Sequence, residues 1–296
     1  MFYYTNQLVK TGTVMNILTA VNETYLEPLS VMLYSLAVHH PLPLNVFILH
    51  LGIAKEKQNE FQRKIGKWRC LIQVQFILCH RDELKKDITY NRYGMEAVLR
   101  LTLLKTLPKT IDRILWLDAD IIVKGNIQYL YRHADNGQYA LVCEDMFPKW
   151  EKYELLSQLG MKITDRYFNS GVMLFYLNNI RTDFEENIFF QWMNENLDKL
   201  KYPDQNALNV CLKDKLCWIK PEIYNLQISR MDRSLRKSGM INKSKVFHYN
   251  TRKKPWDDYY DGEGEFEFWK YGINVLGIRR FIGHYSKKMI HILLNL

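Results

Sequence analysis

The chain of 296 residues lacks the marks of a membrane-spanning or exported protein. No apolar run reaches the roughly 18 residues of a spanning helix, and Met1 to Met15 lacks the basic-then-apolar order of an export signal. Cysteine is scarce: Cys70, Cys79, Cys143, Cys211 and Cys217 are odd in number, scattered, and show no metal-ligand pairing. This excludes a disulfide framework and points to reduced, mostly buried thiols in a cytoplasmic protein. Acidic residues are missing from Tyr271 to the C-terminus, where Arg279, Arg280, Lys287 and Lys288 stand. Repeats, low-complexity tracts and evident linkers are also missing, so one mixed α/β domain (1–256) with a C-terminal appendage (257–296) is expected.

Apolar residues are plentiful, at 47% with 14% aromatics, ample for a substantial core. The formal charge of +9 suits an anionic partner, whether nucleotide, nucleic acid or membrane surface. An acidic block (Asp257, Asp258, Asp261, Glu263, Glu265, Glu267) precedes the basic tail, and the two either neutralise each other or belong to different surfaces.

Met15 to Ala20 reads as a first strand. A helix follows, with Leu29, Met32, Leu33 and Leu36 at three- and four-residue steps, ended by Pro41 and Pro43. Strands are expected over 45–51, 72–78, 171–176 and 246–249, and helices over 55–67, 96–107, 184–200 and 204–212. Strands alternating with helices predict a mixed, mainly parallel sheet flanked by helices, whose ligands collect at the carboxyl ends of the strands.

Asp118 and Asp120 interrupt the apolar run Ile114-Leu115-Trp116-Leu117 and Ile121-Ile122-Val123. As one buried strand, this run places both carboxylates on one face, roughly 7 Å apart along the backbone, where ionised groups need a cation or hydrogen bonds. A divalent cation is the natural guest; the alternative is a solvated pair in a loop after a shorter strand. Four more stretches combine polar residues with apolar or turn neighbours: Ala20 to Thr24, Phe168-Asn169-Ser170-Gly171, Tyr202-Pro203-Asp204-Gln205, and His248-Tyr249 with Lys254-Pro255-Trp256. Singly they are ambiguous. Asn22 also fits a plain turn, Asp204 a helix cap, Asn169 a loop and His248 a structural histidine.

In order, these stretches resemble glycosyltransferase family 8, which includes lipopolysaccharide galactosyl- and glucosyltransferases and glycogenin. The resemblance runs from about Met15 to Trp256 and centres on Asp112 to Val123, supported by Arg100, Phe168 to Val172, Asp204-Gln205-Asn206 and the closing His248 to Trp256. It implies a GT-A-type fold and a retaining hexosyl transfer from UDP-galactose or UDP-glucose to a saccharide or lipid-linked acceptor. Asp118, Asp120 and His248 would then bind Mn²⁺, with Mg²⁺ as the alternative ion. Ala20, Asn22 and Thr24 would hold the uridine, and Arg100 would stand beside the donor. Ala119, Ser170 and Thr251 would also line the donor site, and Asn169 would face the donor sugar. Asp204 and Gln205 would face the bond being exchanged, and Lys254 would add a second cation beside the diphosphate.

The sequence departs from the family at two places. Asn22 and Thr24 stand where many members carry aspartate and asparagine, so an amide oxygen must accept the uracil N–H. Thr251 stands where many members carry glycine, so its loop is expected to be rearranged. Two rival readings come from other classes. Phosphatases of the haloacid dehalogenase class also place aspartate-x-aspartate after an apolar strand beside Mg²⁺, and a non-catalytic nucleotide- or carbohydrate-binding protein could use the same scaffold.

Retention requires either two displacements or attack from the leaving-group face. Asp204 is the one carboxylate in its motif, and Gln205 is a poor nucleophile, so same-face attack with the leaving phosphate as base is expected. From Ile278 onward, Phe281, Ile282, Tyr285, Met289, Ile292, Leu293 and Leu296 alternate with basic residues as an amphipathic helix. Such a helix fits peripheral docking on the inner face of an anionic membrane, or packing on the domain. No nucleic-acid partner is expected.

Overall fold

The computed structural model describes residues 14–40, 43–68, 72–80, 95–197, 200–260 and 262–294. Pro41, Cys70, Asp261 and Leu296, and the side chain of Ile292, lie outside them. Among the described residues ten strands form in chain order: β1 (Met15–Ala20), β2 (Leu44–His50), β3 (Ile72–Leu78), β4 (Arg113–Leu117), β5 (Ile121–Val123), β6 (Ala140–Glu144), β7 (Phe168–Tyr176), β8 (Leu216–Ile219), β9 (Leu226–Gln227) and β10 (Val246–His248). Seven make a sheet ordered β3-β2-β1-β4-β7-β6-β8, and three make a smaller one ordered β5-β10-β9.

In the large sheet β3, β2, β1 and β4 run parallel, while β7 runs antiparallel to both neighbours, β4 and β6. β7 is buried throughout, as expected of a central strand covered on both faces. Two apolar clusters fill those faces: one is built on Ile17, Val46, Leu115 and Leu174, the other on Leu18, Phe47, Trp116 and Met173. The alternation along each strand divides the residues between the clusters.

Two expectations need correction. The aspartate run is not one strand, because β4 ends at Leu117 and β5 begins at Ile121 in the other sheet, so Asp118-Ala119-Asp120 is the crossover between sheets. Residues 95–102 form a 3₁₀ helix, and only Leu103–Thr106 is α-helical. Strands β6, β8 and β9 escaped sequence reading, and β9 is only two residues long.

A third cluster joins Ile122, Phe247 and Tyr249 of the small sheet region to Val31 of helix Leu26–His39 and to Phe268, Trp269 and Tyr271 of helix Glu265–Leu276. Helix Ile278–Leu294 packs on that element through Phe281 and His284 against Trp269. Its amphipathic pattern is divided rather than single-faced. Phe281, His284 and Tyr285 turn inward, whereas Ile278, Ile282, Met289, Ile290 and Leu293 are exposed. The acidic block and basic tail meet in part: Lys287 pairs with Asp258 at 2.9 Å, and Glu265 holds Lys288 at 2.6 Å and His284 at 2.8 Å.

Candidate active site

The crossover brings the two halves of the site together. β5 pairs antiparallel with β10, Ile121 opposite His248, so the strand that leaves Asp120 carries its partner histidine alongside. The Asp120 carbonyl accepts from Tyr249 N–H at 2.9 Å, and Asp118 N–H donates to the Gly171 carbonyl at 3.0 Å. The turn therefore bonds to both sheets and cannot swing.

Each acidic side chain has one oxygen engaged and another facing His248. Asp118 Oδ1 accepts from Trp116 Nε1 at 2.7 Å and from Arg100 Nη2 at 2.9 Å, while Oδ2 lies 3.6 Å from His248 Nε2. Asp120 Oδ2 accepts from Lys254 Nζ at 2.7 Å, while Oδ1 lies 3.4 Å from the same nitrogen. Burial works against ionisation of Asp120, but Lys254 and His248 outweigh it and hold this carboxyl well below the usual carboxylate range. One ligand atom from each of Asp118, Asp120 and His248 lies within 4.8 Å of the others. Two carboxylate oxygens and an imidazole nitrogen suit a divalent cation such as Mn²⁺ or Mg²⁺, and the close approach of Gly171 to His248 leaves no room for a side chain between them. The residues fit a metal.

Arg100 ties the cluster to the helix Pro203–Leu212. Besides Asp118, its Nε reaches Asp204 Oδ2 at 2.9 Å, its Nη1 donates to the Ser170 carbonyl at 2.6 Å, and its plane lies 4.4 Å over the Trp116 ring. Asp204 also receives Ser170 Oγ at 3.3 Å. Burial nevertheless raises its pKa, with Arg100 opposing. Gln205 Oε1 accepts Ser170 N–H at 2.9 Å, and its Nε2 donates to Asp145 at 3.1 Å.

All these groups line a cavity of about 900 Å³ that also includes Ala20, Asn22, Tyr25, Ala119, Asn169, Thr251, Ser229 and Arg230. It opens at the carboxyl ends of β1 and β4, where ligands of α/β sheets bind. Thr24 is the exception among the expected donor-site residues: it lines an adjoining pocket of about 300 Å³ instead. Asn22 caps the short turn Glu23–Tyr25, its amide oxygen accepting Tyr25 N–H at 3.3 Å and Thr24 Oγ1 at 2.7 Å. Thr251 is not in the left-handed region, and its hydroxyl donates to the Lys253 carbonyl. The loop thus closes on itself without glycine.

Asn169 lines the cavity with its hydrogen bonds already assigned. Its oxygen accepts from Gly171 N–H at 3.0 Å and Asn225 Nδ2 at 2.9 Å, and its amide nitrogen donates to Asp145 at 3.1 Å and Gln205 at 3.3 Å. Sequence reading missed Asp145, Asn225, Arg230 and Glu151. Glu151, buried, binds Arg230 at 2.9 Å and Lys201 at 3.1 Å and accepts the Tyr202 hydroxyl at 3.1 Å, fixing the far wall. Asp145 directly follows β6, a strand that sequence patterning did not reveal, so no local signal marked it.

Burial pushes Asp145 up to about 6. An unfolded aspartate titrates near 3.9, so between about pH 4 and 6 the native state keeps a proton that the unfolded chain has lost. This contribution to stability is full below about pH 4 and fades as pH rises through 6. Denaturant titrations are expected to show Asp145→Asn gaining up to about 3 kcal/mol on wild type from pH 4 to 6.5, at 1.36 kcal/mol per pKa unit. A difference flat with pH would refute the shift.

The fold is that of the GT-A glycosyltransferases. The galactosyltransferase LgtC, solved with donor and acceptor sugar analogues, superposes with a TM-score of 0.73 at 21% identity, covering 89% of this chain and 97% of that one. The glycosyltransferase GlyE of Streptococcus pneumoniae gives a TM-score of 0.65 at 17% identity, over 88% of this chain and 61% of that one. The chain belongs to glycosyl transferase family 8, whose model matches residues 16–259. Among curated relatives, a lipopolysaccharide 1,2-glucosyltransferase of Escherichia coli is 28% identical over 84% of this chain and 74% of its own length. A lipopolysaccharide 1,3-galactosyltransferase of Salmonella typhimurium is 28% identical over 82% of this chain and 73% of its own. The protein is a glycosyltransferase, and the phosphatase and non-catalytic readings fall away.

Proposed function

We propose that the protein transfers galactose or glucose from a UDP-sugar, with retention and with Mn²⁺ held by Asp118, Asp120 and His248, to a saccharide or lipid-linked acceptor. The convergence of Asp118 Oδ2, Asp120 Oδ1 and His248 Nε2 carries this reading, because each group is oriented through its other atom. When bound, the ion would neutralise charge on the leaving diphosphate. Lys254 already donates to Asp120 and to the Tyr249 carbonyl at 2.6 Å, which leaves its third N–H for a phosphate oxygen. That contact strengthens as charge grows on the leaving group.

Same-face attack is supported by the state of the nearby carboxylates. Asp204 Oδ2 is bound by Arg100 and Ser170, and Asp145 Oδ2 by two amides, contacts that draw negative charge away from attack and weaken both carboxylates as nucleophiles. The acceptor hydroxyl would form the new bond to the anomeric carbon as the bond to phosphate breaks, its proton passing to a phosphate oxygen. A panel of nucleotide sugars, assayed for nucleotide release with Mn²⁺ and with chelator, tests the proposal. Release from UDP-hexoses alone, abolished by chelator, is expected; metal-independent release or preference for another nucleotide would overturn it.

The acceptor's lipid anchor fits the outer surface of helix Ile278–Leu294. Ile278, Ile282, Met289 and Leu293 fall within one arc of the helix and are exposed, beside Arg279. Among the described residues no helix is long and apolar enough to cross a membrane, and the free thiols of Cys143, Cys211 and Cys217 fit a reducing cytoplasm. Cosedimentation with anionic vesicles is expected to fall at least tenfold in a chain ending at Gly277. Equal binding by both forms would end the membrane reading.

A further inference from the structure

Behind the expected metal ligands lies a chain of amides that nothing in the reaction itself requires. Gly171 N–H, a backbone donor that cannot be turned around, points at Asn169 Oδ1 at 3.0 Å. That fixes Asn169 with its oxygen toward Asn225, whose Nδ2 donates to the same oxygen at 2.9 Å. Asn225 must then present Oδ1 to His248 Nδ1, 3.0 Å away. An acceptor facing Nδ1 demands a proton there, so in the neutral ring Nε2 is the nitrogen with the lone pair, and it is Nε2 that faces Asp118 and Asp120.

We infer that Asn225 is a positioning residue: it sets the Nδ1–H tautomer of His248 and so prepares Nε2 as a metal ligand before any ion arrives. The inference rests on the metal reading above. Asparagine suits the position because the site needs an acceptor on one side and a donor on the other, at a place with no solvent access. Asp supplies only the acceptor, and Ala supplies neither. Asn225 is held in turn by its own N–H on the Pro221 carbonyl at 2.9 Å, and it directly precedes β9, which pairs with β10 with Gln227 opposite His248. The relay also ends on Asp145 and Gln205 through Asn169, so the metal side and the far side of the cavity share one hydrogen-bonded frame.

Nitrogen-15 NMR of histidine-labelled, metal-free protein reads the tautomer directly. Wild-type His248 is expected as Nδ1–H, Asn225→Ala as a mixture, and Asn225→Asp as Nδ1–H again, because a carboxylate also accepts from Nδ1. Titration with Mn²⁺ alone, following the free-ion electron spin resonance signal, is expected to show affinity about 10–100-fold weaker in Asn225→Ala, the usual size of a lost outer contact. Asn225→Asp should recover only part of it, because the acceptor toward Nδ1 returns while the donor toward Asn169 does not. A neutral wild-type ring with its proton on Nε2 overturns the inference whether or not any variant folds, and so does unchanged Mn²⁺ affinity in Asn225→Ala. If wild type takes up no Mn²⁺, the metal reading fails, and the inference that Nε2 is prepared as a ligand falls with it; the tautomer measurement shows separately whether Asn225 sets the ring.

Discussion

Asp120→Ala is expected to lower sugar transfer by about 10³-fold or more, close to 4 kcal/mol of transition-state stabilisation at 1.36 kcal/mol per tenfold. Two effects combine. One ligand atom of the three is removed, and Lys254 loses the carboxylate that holds it at 2.7 Å beside the expected diphosphate. Folding should survive, because Lys254 keeps the Tyr249 carbonyl and the turn keeps its backbone bonds to both sheets. A cooperative melt close to wild type, with Mn²⁺ uptake and turnover both lost, is the expected pattern. Turnover within tenfold of wild type would remove Asp120 from the metal grip.

Gly171→Ala is expected to be nearly as damaging to activity, although it alters no polar side chain. Gly171 has no left-handed backbone requirement; what it supplies is space. A methyl there would press into His248 Cε1 and stand 2.8 Å from Nδ1 and 2.9 Å from Asp118 Oδ2. Neither neighbour can yield without loss, since His248 is tied to Asn225 and Asp118 to Trp116 and Arg100. Overpacking of this kind costs about 1–3 kcal/mol of stability, and displacing two ligands by even about 1 Å costs on the order of 10²-fold in rate. Calorimetry, Mn²⁺ titration and turnover should all decline together. A variant with wild-type metal affinity would show that the two ligands can move apart freely.

Much of the parallel half of the sheet was legible, because Met15–Ala20, Leu44–His50 and Ile72–Leu78 carry their own apolar patterns and the intervening helices their three- and four-residue repeats. The antiparallel insertion of β7, and strands β6, β8 and β9, depended on pairings between distant segments, which no local pattern records. The aspartate run misled for the same reason. An apolar run interrupted by two polar residues looks alike whether it stays in one sheet or passes into another, and only the partners of Ile121 to Val123 decide.

The motif residues illustrate both sides. Asp118, Asp120 and His248 were found from sequence, and the structure brings them together across 130 residues of chain. Asn22 turned out to serve locally as well, capping a turn, whereas Asp204 pairs with Arg100 from a distant segment. Sequence by itself determined the family, the parallel core and the three groups suited to a metal, since residue type and order carry that information. Tertiary structure alone decided which oxygen of each carboxylate is free, which nitrogen of His248 faces them, and that buried Asp145 and Asn225 belong to the site. Those choices depend on hydrogen-bond partners supplied by other strands, and a linear sequence does not say which strands will be neighbours.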